Sequence, residues 1–116
     1  MPDAIFRRNL ERAERKFDVM QALGAHLVLV CSTTRPDSLP EPDRAAEQLR
    51  ALSERAAARN LRVGFETLAW GRHTNLFRQA WAIVQNADHP HLGLILDSFH
   101  TLSLKDDPAR TRVTVR

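Results

Sequence analysis

Three short apolar runs, at residues 26–31, 61–66 and 92–97, each follow a segment with helical periodicity, and this alternation leaves few architectures open to the chain. Within residues 5–23, Phe6, Leu10, Ala13, Phe17 and Met20 recur at alternating spacings of four and three, while Arg7, Arg8, Glu11, Arg12 and Arg15 fill the opposite face. That is the pattern of an amphipathic helix. Gly24, a residue suited to the left-handed conformation after a last helical turn, ends it, and His26 to Cys31 follows as a strand expected to be buried. Residues 32–42, rich in Ser, Thr, Asp and Pro, read as a loop, with Pro42 suited to the first turn of a second helix over 42–59. The stripe of that helix runs through Ala45, Leu49, Leu52 and Ala56, and Asn60 closes it before the second strand, which ends at Glu66. Thr74 is expected to cap a third helix reaching about Asn86, with Phe77, Ala80, Ile83, Val84 and Ala87 inward, before a third strand ending at Asp97. The repeat is near 31 to 35 residues, and Val30, Phe65 and Leu96 are expected at equivalent strand ends.

Strands alternating with helices imply right-handed crossovers and a parallel sheet covered by helices. Two forms fit: a barrel of eight βα units, or an open doubly wound sheet. In both, functional groups gather beyond the carboxyl ends of the strands. No GxGxxG or GxxxxGK[ST] loop follows any strand, which weakens the nucleotide-binding form of the open sheet. With 116 residues the chain can hold one compact unit. Its apolar runs fall far short of the roughly 20 residues a membrane-spanning helix needs, so no membrane partner is expected. The first turn lacks a secretory pattern, which makes a cytoplasmic location the default expectation. Cys31 is the only cysteine, excluding an intrachain disulfide and a thiolate zinc cluster. The formal charge is only +3, and the arginines are interleaved with acids, as in Glu11-Arg12-Ala13-Glu14-Arg15, instead of forming one stripe. No nucleic-acid partner is expected from that pattern.

The groups able to do chemistry lie after the strands. Glu66 and Asp97 close the second and third strands, and in a parallel sheet they emerge at the same rim, where strands about 4.8 Å apart let both reach one hard cation. Acids at the ends of apolar strands would otherwise meet like-charge repulsion and desolvation. The alternative is that Glu66 caps a turn and Asp97 pairs with an arginine. His100, three residues after Asp97, has a ring suited to moving protons, or is simply solvated. Arg72 and His73 occupy the loop after Glu66, where Arg72 can grip a carboxylate or phosphate bidentately, or form a surface salt bridge. Ser32, Thr33 and Thr34 follow the first strand and can donate hydrogen bonds to a polyol. Trp81 reads as packing, Trp70 as packing or as a wall of the pocket, and His26, His89 and His91 as structural.

The segments GFETLAWGRH, at 64–73, and LGLILDSFHTL, at 92–102, resemble the sugar phosphate isomerase/epimerase superfamily of xylose isomerase-like barrels, and within it bacterial 3-dehydroshikimate dehydratases. The resemblance covers residues 4–107 and is specific over those two segments. It implies an α/β fold, a partial (β/α)8 TIM barrel of about three βα units with parallel strands spanning residues 1–108, followed by an atypical tail at 109–116. It further implies Glu66 and Asp97 as metal ligands, His100 as the histidine of an Asp-x-x-His motif beside the metal, and Arg72 and His73 in a substrate-facing loop. The cofactor it implies is a divalent metal, Mg²⁺ or Mn²⁺ first and Co²⁺ or Zn²⁺ next. The substrate would be a cyclic hydroxy-ketone acid or a polyol. The expected activity is a lyase converting 3-dehydroshikimate to protocatechuate, with a sugar or sugar-phosphate isomerase or epimerase as the alternative. Family members carry a third ligand, His or Gln, and a final Glu on later strands, so the chain is expected to be a piece of the enzyme. A third possibility is a partial barrel that is not catalytic and self-associates through its open sheet edges.

Overall fold

The computed structural model describes residues 3–33 and 41–105, which form α1 (Asp3–Leu23), β1 (Leu27–Cys31), α2 (Pro42–Ala57), β2 (Arg62–Glu66), α3 (Phe77–Ala87), β3 (Leu92–Ile95) and α4 (Ser98–Ser103). Thr34 and the tail at 109–116 lie outside the described residues. The strands form one parallel sheet in the order β1-β2-β3. The first three helices are each followed, within three residues, by a residue in the left-handed conformation: Gly24 at φ 75° after α1, Asn60 at φ 57° after α2, and Asp88 at φ 46° after α3. Asn and Asp tolerate that conformation better than other residues with a Cβ.

The register decides which side chains share a face. Val28 and Val30, Val63 and Phe65, and Leu92 and Leu94 point to the helices. There they meet Phe17 of α1, Leu49 and Ala56 of α2, and Ala80, Ile83, Val84 and Ala87 of α3. Leu27, Leu29, Cys31, Gly64, Glu66 and Ile95 alternate to the opposite, inner face. β1 therefore differs from the buried strand expected: Leu27 and Leu29 remain 57% and 52% exposed, because helices cover only one side of an edge strand. The equivalent of Val30 and Phe65 in β3 is Leu94, not Leu96, since pairing stops at Ile95 and Leu96 lies beyond it, exposed.

Two helix starts also differ. α3 begins at Phe77 and not at a Thr74 cap; Gln79 Oε1 accepts from the amides of both Asn75 and Leu76, 3.0 Å each, so a side chain of the first turn reaches back to the two amides that lead into the helix. α4 was not expected, although Asp97 before Ser98-Phe99-His100 is an N-cap pattern, and its carboxylate accepts from Phe99 N–H at 2.9 Å. Several arginines tie the helices together: Arg44 to Asp3 and Arg59 to Glu14, both at 2.7 Å, and Arg50 to the carbonyls of Ala87 and Asp88 at the end of α3. Among the described residues no helix is long and apolar enough to cross a membrane.

Candidate metal centre

Glu66 is the last residue of β2, in register with Cys31 and Ile95, so its side chain faces inward while helices pack the other side of the sheet. It is 7% exposed. Asp97 lies two residues beyond Ile95 with extended backbone (φ −115°, ψ 116°), which keeps the strand alternation and turns it to the same face. One of its oxygens caps α4, and the other lies 3.9 Å from His100 Nε2. His100 is buried, with Nε2 3.6 Å from Glu66 Oε1 and Nδ1 accepting a 3.0 Å hydrogen bond from Ala69 N–H. One ligand atom from each of Glu66, Asp97 and His100 falls within 4.8 Å of the others. Neither acid pairs with an arginine or lysine among the described residues.

Burial pushes the Glu66 carboxyl above its ordinary range, and the hydrogen bond to Asp97 and its charge push further, against a smaller opposing effect of His100. Burial, with the charge of Glu66 beside it, raises the Cys31 thiol as well. A buried carboxyl whose pKa is raised, a second carboxylate and an imidazole beside it, with no basic side chain paired to either acid among the described residues, are a donor set that a divalent cation would satisfy.

The loop after β2 reaches this rim through a specific backbone path. Gly71 N–H donates to Leu68 O at 2.9 Å, closing a turn, and Arg72 N–H donates to Thr33 O at 2.7 Å. A Cβ at Gly71 would sit 2.1 Å from Thr74 O and 2.7 Å from Ser32 Oγ, so only glycine fits there. Ser32 is buried and holds this loop: its Oγ accepts from Leu68 N–H at 2.9 Å, and its own amide donates to Glu66 O. Arg72 is exposed, and its guanidinium forms no ion pair among the described residues. His73 lines a cavity of about 300 Å³ with Phe6, Leu10, Leu49, Val30 and Phe65. Val30 and Phe65 point to the helices, so this cavity lies across the sheet from the carboxylates and takes His73 away from them.

Trp70 is 60% exposed and meets the His100 ring edge-on at 5.0 Å between centroids, while Trp81 is buried in the core. Ala69, which grips His100 through its backbone, left no trace in the sequence, because every residue except proline carries the same amide. The remaining histidines sit away from the rim. His91 Nδ1 lies 2.7 Å from Leu61 O, and His89 Nδ1 accepts from His91 N–H. His89 is buried, which lowers its pKa, helped by Arg50 and His91.

Parallel strands each followed by a helix, with the ionisable groups gathered past the strand ends on the inner face, define a segment of an α/β barrel or doubly wound sheet. Comparison decides between them. The chain belongs to the xylose isomerase-like TIM barrel family, whose model matches residues 1–116. It is 64% identical over 101 residues to a 3-dehydroshikimate dehydratase of Pseudomonas aeruginosa and 58% identical over 105 residues to that of Pseudomonas putida. These alignments cover 87% and 90% of this chain and 16% of each relative, so the chain spans about a sixth of their length. Its fold superposes with a TM-score of 0.91 on a solved xylose isomerase-like TIM barrel/4-hydroxyphenylpyruvate dioxygenase fusion protein, 56% identical, covering 93% of this chain and 17% of that one. The fold is thus a partial (β/α)8 barrel.

Proposed function

We propose that the chain is the segment of a divalent-metal-dependent 3-dehydroshikimate dehydratase that supplies two metal carboxylates and a proton-moving histidine. The observation that carries this reading is the convergence of Glu66, Asp97 and His100 within 4.8 Å at the carboxyl ends of parallel strands. The relatives at 58% and 64% identity, both 3-dehydroshikimate dehydratases, support the choice of substrate.

Glu66 and Asp97 would hold the ion, and their oxygen donors favour a hard cation, Mg²⁺ or Mn²⁺, over Co²⁺ or Zn²⁺. When bound, such an ion supplies Lewis acidity toward a substrate ketone or hydroxyl oxygen. Dehydration takes a proton from one ring carbon and a hydroxyl from its neighbour, and the two leave as water. His100 stands where a proton must be handled, buried, with Nε2 facing both carboxylates. Trp70 lies against its ring and keeps bulk water from that side. Arg72, exposed in the same loop, is assigned to the substrate carboxylate, which its planar fork can grip with two hydrogen bonds. Ser32 contributes by holding the loop, and His73 by packing behind the sheet.

The test is a hybrid in which this chain replaces the matching segment of the Pseudomonas aeruginosa dehydratase. The hybrid is expected to convert 3-dehydroshikimate to protocatechuate with Mg²⁺ or Mn²⁺ present. Glu66→Gln or Asp97→Asn in that hybrid is expected to cut the rate by about two orders of magnitude or more, the scale of losing an electrostatic stabiliser at the reacting centre. A folded hybrid that forms no protocatechuate, or variants that retain full rate, would refute the assignment.

A further inference from the structure

We propose that the loop after β2 is a positioning element for His100: the Ala69 amide selects the Nε2–H tautomer and Trp70 holds the ring plane. The neutral imidazole then offers a proton, and no lone pair, to the space between Glu66 and Asp97. What His100 does with that proton rests on the functional reading above, whereas the tautomer follows from the chain's own geometry.

A backbone amide can only donate, so the 3.0 Å contact from Ala69 N–H requires a bare lone pair on His100 Nδ1. A neutral imidazole has one protonated and one bare nitrogen, which leaves the hydrogen on Nε2. Turning the ring over would set a carbon against the amide and strand a donor beside a residue that is 7% exposed. Two aromatic side chains oppose that turn. Trp70 meets the ring at 5.0 Å and 67°, Phe99 meets it at 5.2 Å and 80°, and the two meet each other at 6.4 Å.

Among the described residues, the far side of the ring faces Glu66 and Asp97. Nε2 is 3.6 Å from Glu66 Oε1 and 3.9 Å from Asp97 Oδ2, beyond a direct hydrogen bond to either. A protonated Nε2 cannot ligate a cation, so although its distance alone would admit His100 as a third ligand, its tautomer makes it a donor toward an oxygen atom held beside the carboxylates. The arrangement joins two consecutive βα units, because the gripping amide follows β2 and the gripped ring lies in α4, after β3. Trp70 acts through His100 and is a positioning residue.

The turn that presents the amide offers a clean perturbation. Gly71 N–H donates to Leu68 O, which makes Ala69 the second residue of a β-turn, the position proline favours. Ala69→Pro therefore deletes the donor while suiting the turn. The measurement is side-chain nitrogen NMR of histidine in the chain at about pH 8, above the ordinary imidazole pKa of about 6.5, first without metal and then with Mg²⁺. In the wild type a single tautomer is expected, with Nε2 protonated and Nδ1 bare. Ala69→Pro is expected to bring the Nδ1–H form from undetectable to a measurable fraction, Trp70→Ala to do the same, and Trp70→Phe to keep the wild-type pattern. Protonated Nδ1 in the wild type, or a folded Ala69→Pro variant with unchanged nitrogen shifts, would overturn the proposal; if that variant fails to fold, the wild-type spectrum and the two Trp70 variants decide. On adding Mg²⁺, Nε2 is expected to stay protonated while the Glu66 and Asp97 carboxyl carbons shift. Loss of the Nε2 proton at that step would make His100 a ligand and overturn the proposal. Carboxyl carbons that do not respond, with the tautomer intact, would show that these two carboxylates alone do not hold the ion and leave the positioning role supported, and the metal dependence of the hybrid then decides the metal reading.

Discussion

Glu66 carries its carboxyl on the inner face, 7% exposed, beside Asp97, and the raised pKa that results ties stability to pH. A raised folded-state pKa means that the native chain binds more protons than the unfolded one between the two pKa values. The associated stability is complete below the ordinary carboxyl range and is lost as pH rises through the raised value. Without metal, urea midpoints of the chain are expected to fall over that window, and Glu66→Gln to flatten the fall. Mg²⁺ at neutral pH is expected to raise the midpoint of the wild type and not of the variant, because a ligand of the native state adds stability in proportion to its occupancy. An unchanged pH slope in Glu66→Gln would show that another group is responsible. That Glu66, Asp97 and His100 meet was legible in advance, since an acid at the end of an apolar strand in a parallel sheet has only one rim to occupy. The bond between Ala69 and His100 was not, because it is made by backbone. Ser32 follows β1 and holds the loop after β2 through Leu68 N–H, whereas His73 turns to the cavity behind the sheet, a choice of face that spacing along the chain does not make.

At the level of elements, β2 is the strand whose composition matters most, and Gly64 at its centre shows why. A Cβ there would meet Ile95 Cδ1 at 2.3 Å and Cγ1 at 2.7 Å, with Leu27 Cδ1 at 3.6 Å, so the neighbouring strands lean their side chains over the glycine. Gly64→Ala is expected to destabilise by about 1 kcal/mol, the low end of the cost of overpacking, because Ile95 can swing toward the open inner face. In an Ile95→Ala background the same change is expected to cost close to nothing, and a denaturant double-mutant cycle reads the difference. Equal costs in both backgrounds would mean that Ile95 is not the obstacle. Helix stripes and the order of elements were readable because periodicity of 3.6 and glycine or asparagine stops are local signals, as at Gly24 and Asn60. Three details needed the tertiary structure. β1 looked fully buried because Leu27 to Val30 are uniformly apolar, yet only one of its faces is covered by helices. Pairing ends at Ile95 and moves the equivalent of Phe65 to Leu94, a shift of register that an apolar run through Leu96 conceals. Gln79 took the capping role assigned to Thr74, since the chain between Gly71 and Leu76 is spent on the turn that closes over Ser32.

For the molecule as a whole, the sheet order β1-β2-β3 leaves the outer edges of β1 and β3 unpaired among the described residues, and the inner face uncovered. In a closed barrel the remaining strands pair those edges, and their inward side chains fill that face. Here Leu27 and Leu29 stand 57% and 52% exposed on it, with Leu96, Phe99 and Leu102 exposed along the rim beyond β3. Open edges beside exposed leucines are the arrangement that pairs with another chain, since each unpaired amide and carbonyl gains a partner and apolar surface leaves water in the same step. The 116-residue chain is therefore expected to self-associate, with a sedimentation coefficient that rises with concentration through the micromolar range. Leu29→Lys is the informative variant. Residue 29 alternates away from the helices, so a lysine there leaves the packed core around Phe17 and Val63 untouched while setting a charge on the surface that would be buried. It is expected to shift the chain toward monomer without lowering its helix content by circular dichroism. A wild-type chain that sediments as a concentration-independent monomer would show that the inner face tolerates water, and that edge exposure in a partial barrel costs less than the loss of pairing partners implies.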